Sequence, residues 1–166
     1  ITFGPWLLVK IFDQPAYIFA QLWIVAAALG VVFQPLLGKA IDHYGERVVL
    51  MADAVVIFLI CIGYGWADHL PNQQLALYLL YACLVIDQLI FGAGMARDLY
   101  VARIAEQPDH IAPTLSMGVS INHVVSMSVP SLGGLIWEYY GHSMVFMGAA
   151  GVAVLVFLFS ALIEPR

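Results

Sequence analysis

The feature that most restricts the fold is a series of apolar segments about as long as a bilayer is thick. They lie at 16–37, 48–66, 75–96, 114–140 and 144–163, and a sixth at 1–12 has about half a span. A helix needs roughly 20 apolar residues to cross the hydrocarbon core. In hydrocarbon no water can pair backbone N–H and C=O groups, so only helices and closed barrels span it. Barrel strands would read as short alternating segments, which this sequence lacks. Soluble helices would show polar stripes at helical spacing. Charged residues make up only 10% of the chain, against about 25% in soluble domains. The expected fold is therefore all-α, a polytopic transmembrane helix bundle of about five and a half helices forming one domain over 1–166.

Orientation follows from lysine and arginine in the short connections. Lys39, Arg47, Arg97, Arg103 and Arg166 fall on one side and Lys10 on the other. The expected topology places the first group and the C-terminus in the cytoplasm, in a plasma (inner) membrane. Trp66, Trp137, Tyr139 and Tyr140 then form an aromatic belt at the outer interface. The chain opens on Ile1 within an apolar stretch, with no charged n-region or cleavage site, which is the expectation for a piece of a longer protein rather than a signal peptide.

Between two spans lies GKAIDHYGER, residues 38–47, in which Lys39, Asp42, Glu46 and Arg47 bring both signs of charge close to Gly38 and Gly45. It reads as a tight, charged turn that caps helices. The spans also differ in polarity. Those at 48–66 and 144–163 carry almost nothing polar in their middles, whereas the others carry Gln, Asp, Asn, His, Ser and Pro. Intramembrane polar groups face a bundle interior or a wet cavity. The two apolar spans are expected to be peripheral and the rest to line a cavity.

This pattern resembles the major facilitator superfamily of secondary transporters. That family carries a G-x-x-x-D-x-x-G-x-R signature between the second and third helices of each six-helix half, matched here by Gly38, Asp42, Gly45 and Arg47. The basic residue that often follows is replaced by Val48. Pro130, Gly133 and Gly134 match a Pro- and Gly-rich stretch on a half's fifth helix, and the family's third and sixth helices are peripheral. The span at 75–96 lacks an intramembrane Arg and no long loop follows the last span, so the resemblance implies the C-terminal half with a truncated first helix. It also implies alternating access of a small solute about a midplane site, a lipid bilayer and a missing N-terminal half as partners, and gating by the signature loop. Asp98 is the implied partner of Arg47. The alternative is a non-transporting scaffold, assembly or receptor protein.

Several residues carry a functional expectation beside a structural one. A charge at the bilayer centre costs at least about 2.5 kcal/mol on insertion scales, and Asp87 lies close to that centre. It either couples protons, binds a cation or holds a neighbouring helix. His123 lies at similar depth and titrates near neutral pH; Ser116, Ser120, His123 and Met127 share one face, Asn122 and Ser126 an adjacent one. These side chains line a site or hydrogen-bond between helices. Gln88, Gln34 and Gln21 are weaker cavity candidates, and Asp53 is expected to pair with the charged turn. Gly30, Gly118, Gly133 and Gly134 read as close-packing sites, Pro130 as a kink, and Cys61 and Cys83 as packing residues. No catalytic motif or metal-ligand spacing is present, so no enzyme activity, cofactor or metal is expected. The net charge of −5 is spread over the connections and offers no basic patch for nucleic acid.

Overall fold

The computed structural model describes residues 3–105 and 107–163, and among them every regular element is helical. Six α-helices follow in order: α1 (Phe3–Lys10), α2 (Tyr17–Trp66), α3 (Gln73–Ile90), α4 (Gly94–Ile104), α5 (Pro108–Tyr140) and α6 (His142–Ala161). Short 3₁₀ turns at Ala67–His69 and Phe91–Ala93 follow α2 and α3. By length and composition four stretches can cross a membrane: Tyr17–His69, Gln73–Ile104, Asp109–Tyr140 and His142–Ala161. The chain is an all-α bundle of membrane-length helices.

The charged stretch at 38–47 is not an extended turn. Helical backbone runs through Tyr44, and the chain reverses at Gly45 alone, where φ is 81° and ψ 163°. Nothing between Gly38 and Tyr44 removes a backbone donor or clashes with the preceding turn, so the helix continues. Gly45 stops it because that conformation is open essentially to glycine only. Helix α2 thus has two arms, 17–44 and 46–66, each long enough to span. The region 97–113, expected to be the longest polar connection, is likewise mostly helix. Helix α4 continues to Ile104 and α5 begins at Pro108, where a missing N–H costs nothing.

Other boundaries have local causes. Asn72 caps α3 by accepting a hydrogen bond from the Gln74 N–H at 2.9 Å. Gly141, with φ 84°, turns α5 into α6 in a single residue. Between α1 and α2, the Gln14 amide donates to the Phe12 carbonyl and its oxygen accepts from the Tyr81 hydroxyl at 2.6 Å, fastening the connection to α3.

The main core joins α1, the second arm of α2, α3 and α6. Leu7, Leu8, Ile60, Tyr64, Leu80, Leu84 and Phe146 are buried in it, and the Tyr64 and Phe146 rings stack at 5.1 Å. Cys61 and Cys83 are both free and buried beside it. A smaller cluster near the Gly45 reversal holds Ile41, Val49, Leu50 and Ala96. The two most apolar spans are central within this chain: the arm 46–66 and α6 supply much of the core, while their outer sides, with Val55, Leu59, Leu155 and Phe159, stay exposed. The polar α5 is the outlier, with only 6% of its spanning window buried. Apolarity on all sides lets a helix pack on one flank and meet lipid on the other, whereas a polar helix cannot meet lipid.

The 3₁₀ turn after α3 is held from α2. The Gln34 amide donates to the Leu89 carbonyl at 3.2 Å. It can sit there because Gly92 has no Cβ; one built at Gly92 would collide with the Gln34 amide oxygen and nitrogen. Gly92→Ala is expected to displace the flexible Gln34 amide, break its bond to the Leu89 carbonyl and lower the melting temperature of the purified protein relative to Gly148→Ala, where a Cβ meets open space. Equal melting points for the two variants would refute this contact. At Gly45, alanine should cost about 1–3 kcal/mol through its backbone conformation alone, read as reduced resistance to chemical denaturation.

Candidate functional site

The signature residues lie at one end of the bundle, where the two arms of α2 meet. Gly38 has no neighbour that a Cβ would touch, and Asp42 is exposed on the first arm. Arg47 is half-buried and Asp98 is exposed. Among the described residues no ion pair joins Arg47 to Asp98; instead Arg103 Nη1 lies 2.7 Å from Glu46 Oε1. The cause is the reversal. Gly45 turns Glu46 into the bundle, where the residue keeps only 8% of its exposure. Arg103 is five positions beyond Asp98, about 140° around α4 at 100° per residue, and so reaches a side of the bundle that Asp98 does not. The short approach is not aligned as a hydrogen bond, and Glu46 Oε1 has no other hydrogen-bond partner among the described residues. Coulomb attraction between a buried carboxylate and a half-exposed guanidinium therefore holds the pair. Both residues were visible as charges in the sequence, but only the backbone at Gly45 shows which acid turns inward.

Further into the bundle, Asp53 on the second arm of α2 is half-buried and lies within electrostatic reach of Arg97 and Asp87 rather than of the signature stretch. Asp87 is half-buried on α3, and the adjacent Gln88 is exposed. Gln34 packs against the break after α3, so its role there is to brace that break. Gln21 is exposed.

Helix α5 carries the rest of the expected site. Ser116, Ser120, Asn122, His123, Ser126 and Met127 are all exposed. The Ser120 and Ser128 hydroxyls donate to the carbonyls of Ser116 and Val124 on their own helix at 2.9 and 2.8 Å, so these two serines do not bind helices together. His123 makes no hydrogen bond or ion pair among the described residues, and the structure does not join it to Asp87. Pro130 leaves α5 helical throughout. Of the glycines expected to pack closely, Gly133 has a neighbour, the Phe3 ring of α1, whereas Gly30, Gly118 and Gly134 face open space.

The opposite end of the bundle holds a cluster that sequence reasoning did not find. Asp68 faces two histidines, His69 at 2.8 Å and His142 at 3.3 Å. The Ser143 hydroxyl donates to the Gly65 carbonyl at 3.0 Å. These contacts bind the end of α2 to the start of α6. The pairing crosses more than 70 residues of sequence, and no local spacing could reveal it.

Known proteins were compared with this chain. It is 22% identical over 128 residues to "MFS-type transporter SLC18B1" of Rattus norvegicus and of Mus musculus. The match covers 77% of this chain and 28% of each relative, so the chain spans under a third of the curated relatives it matches. No family model matches, and no solved structure matches. The chain is thus distantly similar to a transporter of the major facilitator type, a family that is not enzymatic. Together with its membrane-length apolar helices, this similarity is that of a multi-pass membrane protein.

The pair at Glu46 gives a direct test. Its acid is buried while the Arg103 side chain is 48% exposed, so solvent screens part of the attraction and the loss on removing the arginine lies nearer the roughly 1 kcal/mol of exposed pairs than the cost of a fully buried one. Arg103→Gln should therefore destabilise the protein modestly, and the double variant Arg103→Gln with Glu46→Gln should recover part of the loss. Additive effects in a double-mutant cycle would show that the two side chains are not coupled.

Proposed function

We propose that this chain forms half of the transmembrane body of a secondary transporter that moves a small solute by alternating access. The observation that carries this reading is α5. It is long enough to cross a bilayer, carries a belt of Asn122, His123, Ser120 and Ser126 in its middle, and leaves that belt exposed. Such a belt cannot face lipid, because charged and hydrogen-bonding groups there lose their partners. It must face water or protein. A translocation pathway between this bundle and a second, N-terminal one satisfies that requirement, and the distant similarity to major facilitator transporters supports the same arrangement. A scaffold would leave the belt without purpose.

In this reading the two bundles rock about a site near the midplane. Asp87, on α3, and His123, on α5, are the candidates to carry a coupled proton, with Gln88 and Asn122 beside them. The Glu46–Arg103 pair fastens the second arm of α2 to α4 at the end that the lysine and arginine bias assigns to the cytoplasm. Asp42, Arg47 and Asp98 remain on the surface around it, placed to meet the partner bundle, and Gly38 and Gly45 shape the arm that presents them. Opening that end requires the pair to separate or to move as one unit. Gly133, against the Phe3 ring, sets how closely α5 runs to α1, with Pro130 and Gly134 on the same stretch.

Water access tests the pathway without knowledge of the solute. With Cys61 and Cys83 both buried, a cysteine at Ser120 or Asn122 in the whole protein should react with a membrane-impermeant thiol reagent. One at Leu155, on the exposed apolar side of α6, should not. Equal reactivity, or none at Ser120 and Asn122, would defeat the pathway. Proton coupling is tested in proteoliposomes: Asp87→Asn should abolish uptake driven by a pH gradient while leaving solute exchange. Retention of pH-driven uptake would remove Asp87 from the coupling path.

A further inference from the structure

At the end of the bundle away from Gly45, a half-open cavity of about 700 Å³ lies between α1 and the last turns of α5. Its lining includes Phe3, Trp6 and Lys10 from α1 and Pro130, Trp137 and Glu138 from α5. The volume falls within the range of small-molecule sites, roughly 300–1,000 Å³. One wall is held in place by ring contacts: Trp137 stacks on Phe3 at 5.9 Å and meets His142 at 5.7 Å and Phe146 at 6.4 Å.

The two charges on this lining are opposite in sign and come from different helices. Among the described residues no ion pair joins Lys10 to Glu138. The Lys10 ammonium lies instead 5.2 Å from the centre of the Trp6 ring, which fixes where the positive charge stands. Glu138 sits in the final turn of α5, where the helix dipole disfavours an anion, so its position does nothing for the stability of its own helix. Lys10, in the last turn of α1, is favoured by that helix's dipole. The cavity's lining thus carries a cation, an anion that has not neutralised it, and aromatic surface.

We propose that this cavity binds an aromatic zwitterion of the amino-acid type, its carboxylate on Lys10, its ammonium on Glu138, and its apolar body against Trp6, Trp137 and Phe3. A cation alone would meet Lys10 as a like charge, and an anion alone would meet Glu138. Only a ligand with both charges satisfies both residues, and aromatic rings supply contact area and a face for the ammonium. The inference goes beyond transport, since binding here does not require the ligand to be carried.

The test uses the whole protein in lipid nanodiscs and three probes that share a phenyl ring: phenylalanine, phenethylamine and 3-phenylpropanoate. Titration calorimetry is expected to show phenylalanine binding at least tenfold more tightly than either singly charged probe. Lys10→Gln and Glu138→Gln should each weaken phenylalanine binding about tenfold or more, a loss of roughly 1.4 kcal/mol. The exchanged pair, Lys10→Glu with Glu138→Lys, should restore part of it, and size-exclusion profiles identify any variant that fails to fold. Absence of phenylalanine binding, equal binding of a singly charged probe, or indifference to both neutral variants would overturn the proposal. Thiol accessibility along α5 reads the transport pathway separately, so binding without a wet α5, or a wet α5 without binding, sinks one proposal and leaves the other.

Discussion

A bilayer core offers nothing for a polar group to bond, and this constraint governs the molecule from end to end. It makes every described element helical, since a helix alone pairs its own backbone within one segment. It also divides the side chains. Helix α6 and the second arm of α2 can be packed on one flank and bare on the other because both flanks are apolar. Helix α5 has no such freedom. Ser120 and Ser128 turn their hydroxyls onto their own backbone, but Asn122 and His123 cannot be satisfied that way, and their exposure is the strongest pointer to a wet or protein-covered flank.

The same scarcity of partners gives the Gly45 end its character. A carboxylate as enclosed as Glu46 is tolerable only beside a cation, and Arg103 provides one. The attraction is strengthened by the low local dielectric that makes burial costly. A contact of this kind is binary: it is made, or one charge lies stranded. Surface charges such as Asp42 and Asp98 have no such sharpness, because water screens them and exposed pairs contribute only about 0–1 kcal/mol.

Much of the architecture was legible in the sequence because hydropathy reports the bilayer directly. Bundle class and the existence of long apolar helices follow from segment length alone. Boundaries were less legible. Polar residues at 97–113 suggested a loop, yet polar residues outside hydrocarbon are as content in an exposed helix, and α4 runs to Ile104 while α5 starts at Pro108. The signature stretch was correctly singled out as charged, but its pairing was not legible: whether Arg47 meets Asp98 or Glu46 meets Arg103 depends on one pair of dihedral angles at Gly45. Polarity likewise marked Gln34 as a cavity residue, but its bond to the break after α3, which no proline announces, was not legible. The cavity beside Trp137 was invisible for a related reason, since its residues come from opposite ends of the chain.

The 3₁₀ segment at Phe91–Ala93 also acts as a local gear in the winding of the span from Gln73 to Ile104. Three residues wound at 3.0 per turn differ from the same three at 3.6 per turn by about 60° of rotation and about 1.5 Å of length. Rewinding them into α-helix would therefore swing everything beyond, α4 and Arg103 included, around the axis while drawing it inward. A quarter turn or less is enough to carry a guanidinium out of reach of a fixed carboxylate. The Gln34 amide, bonded to the Leu89 carbonyl and lodged where Gly92 leaves room, sits against this segment, so a change in its pitch would be felt both there and at the ion pair at the bundle's end.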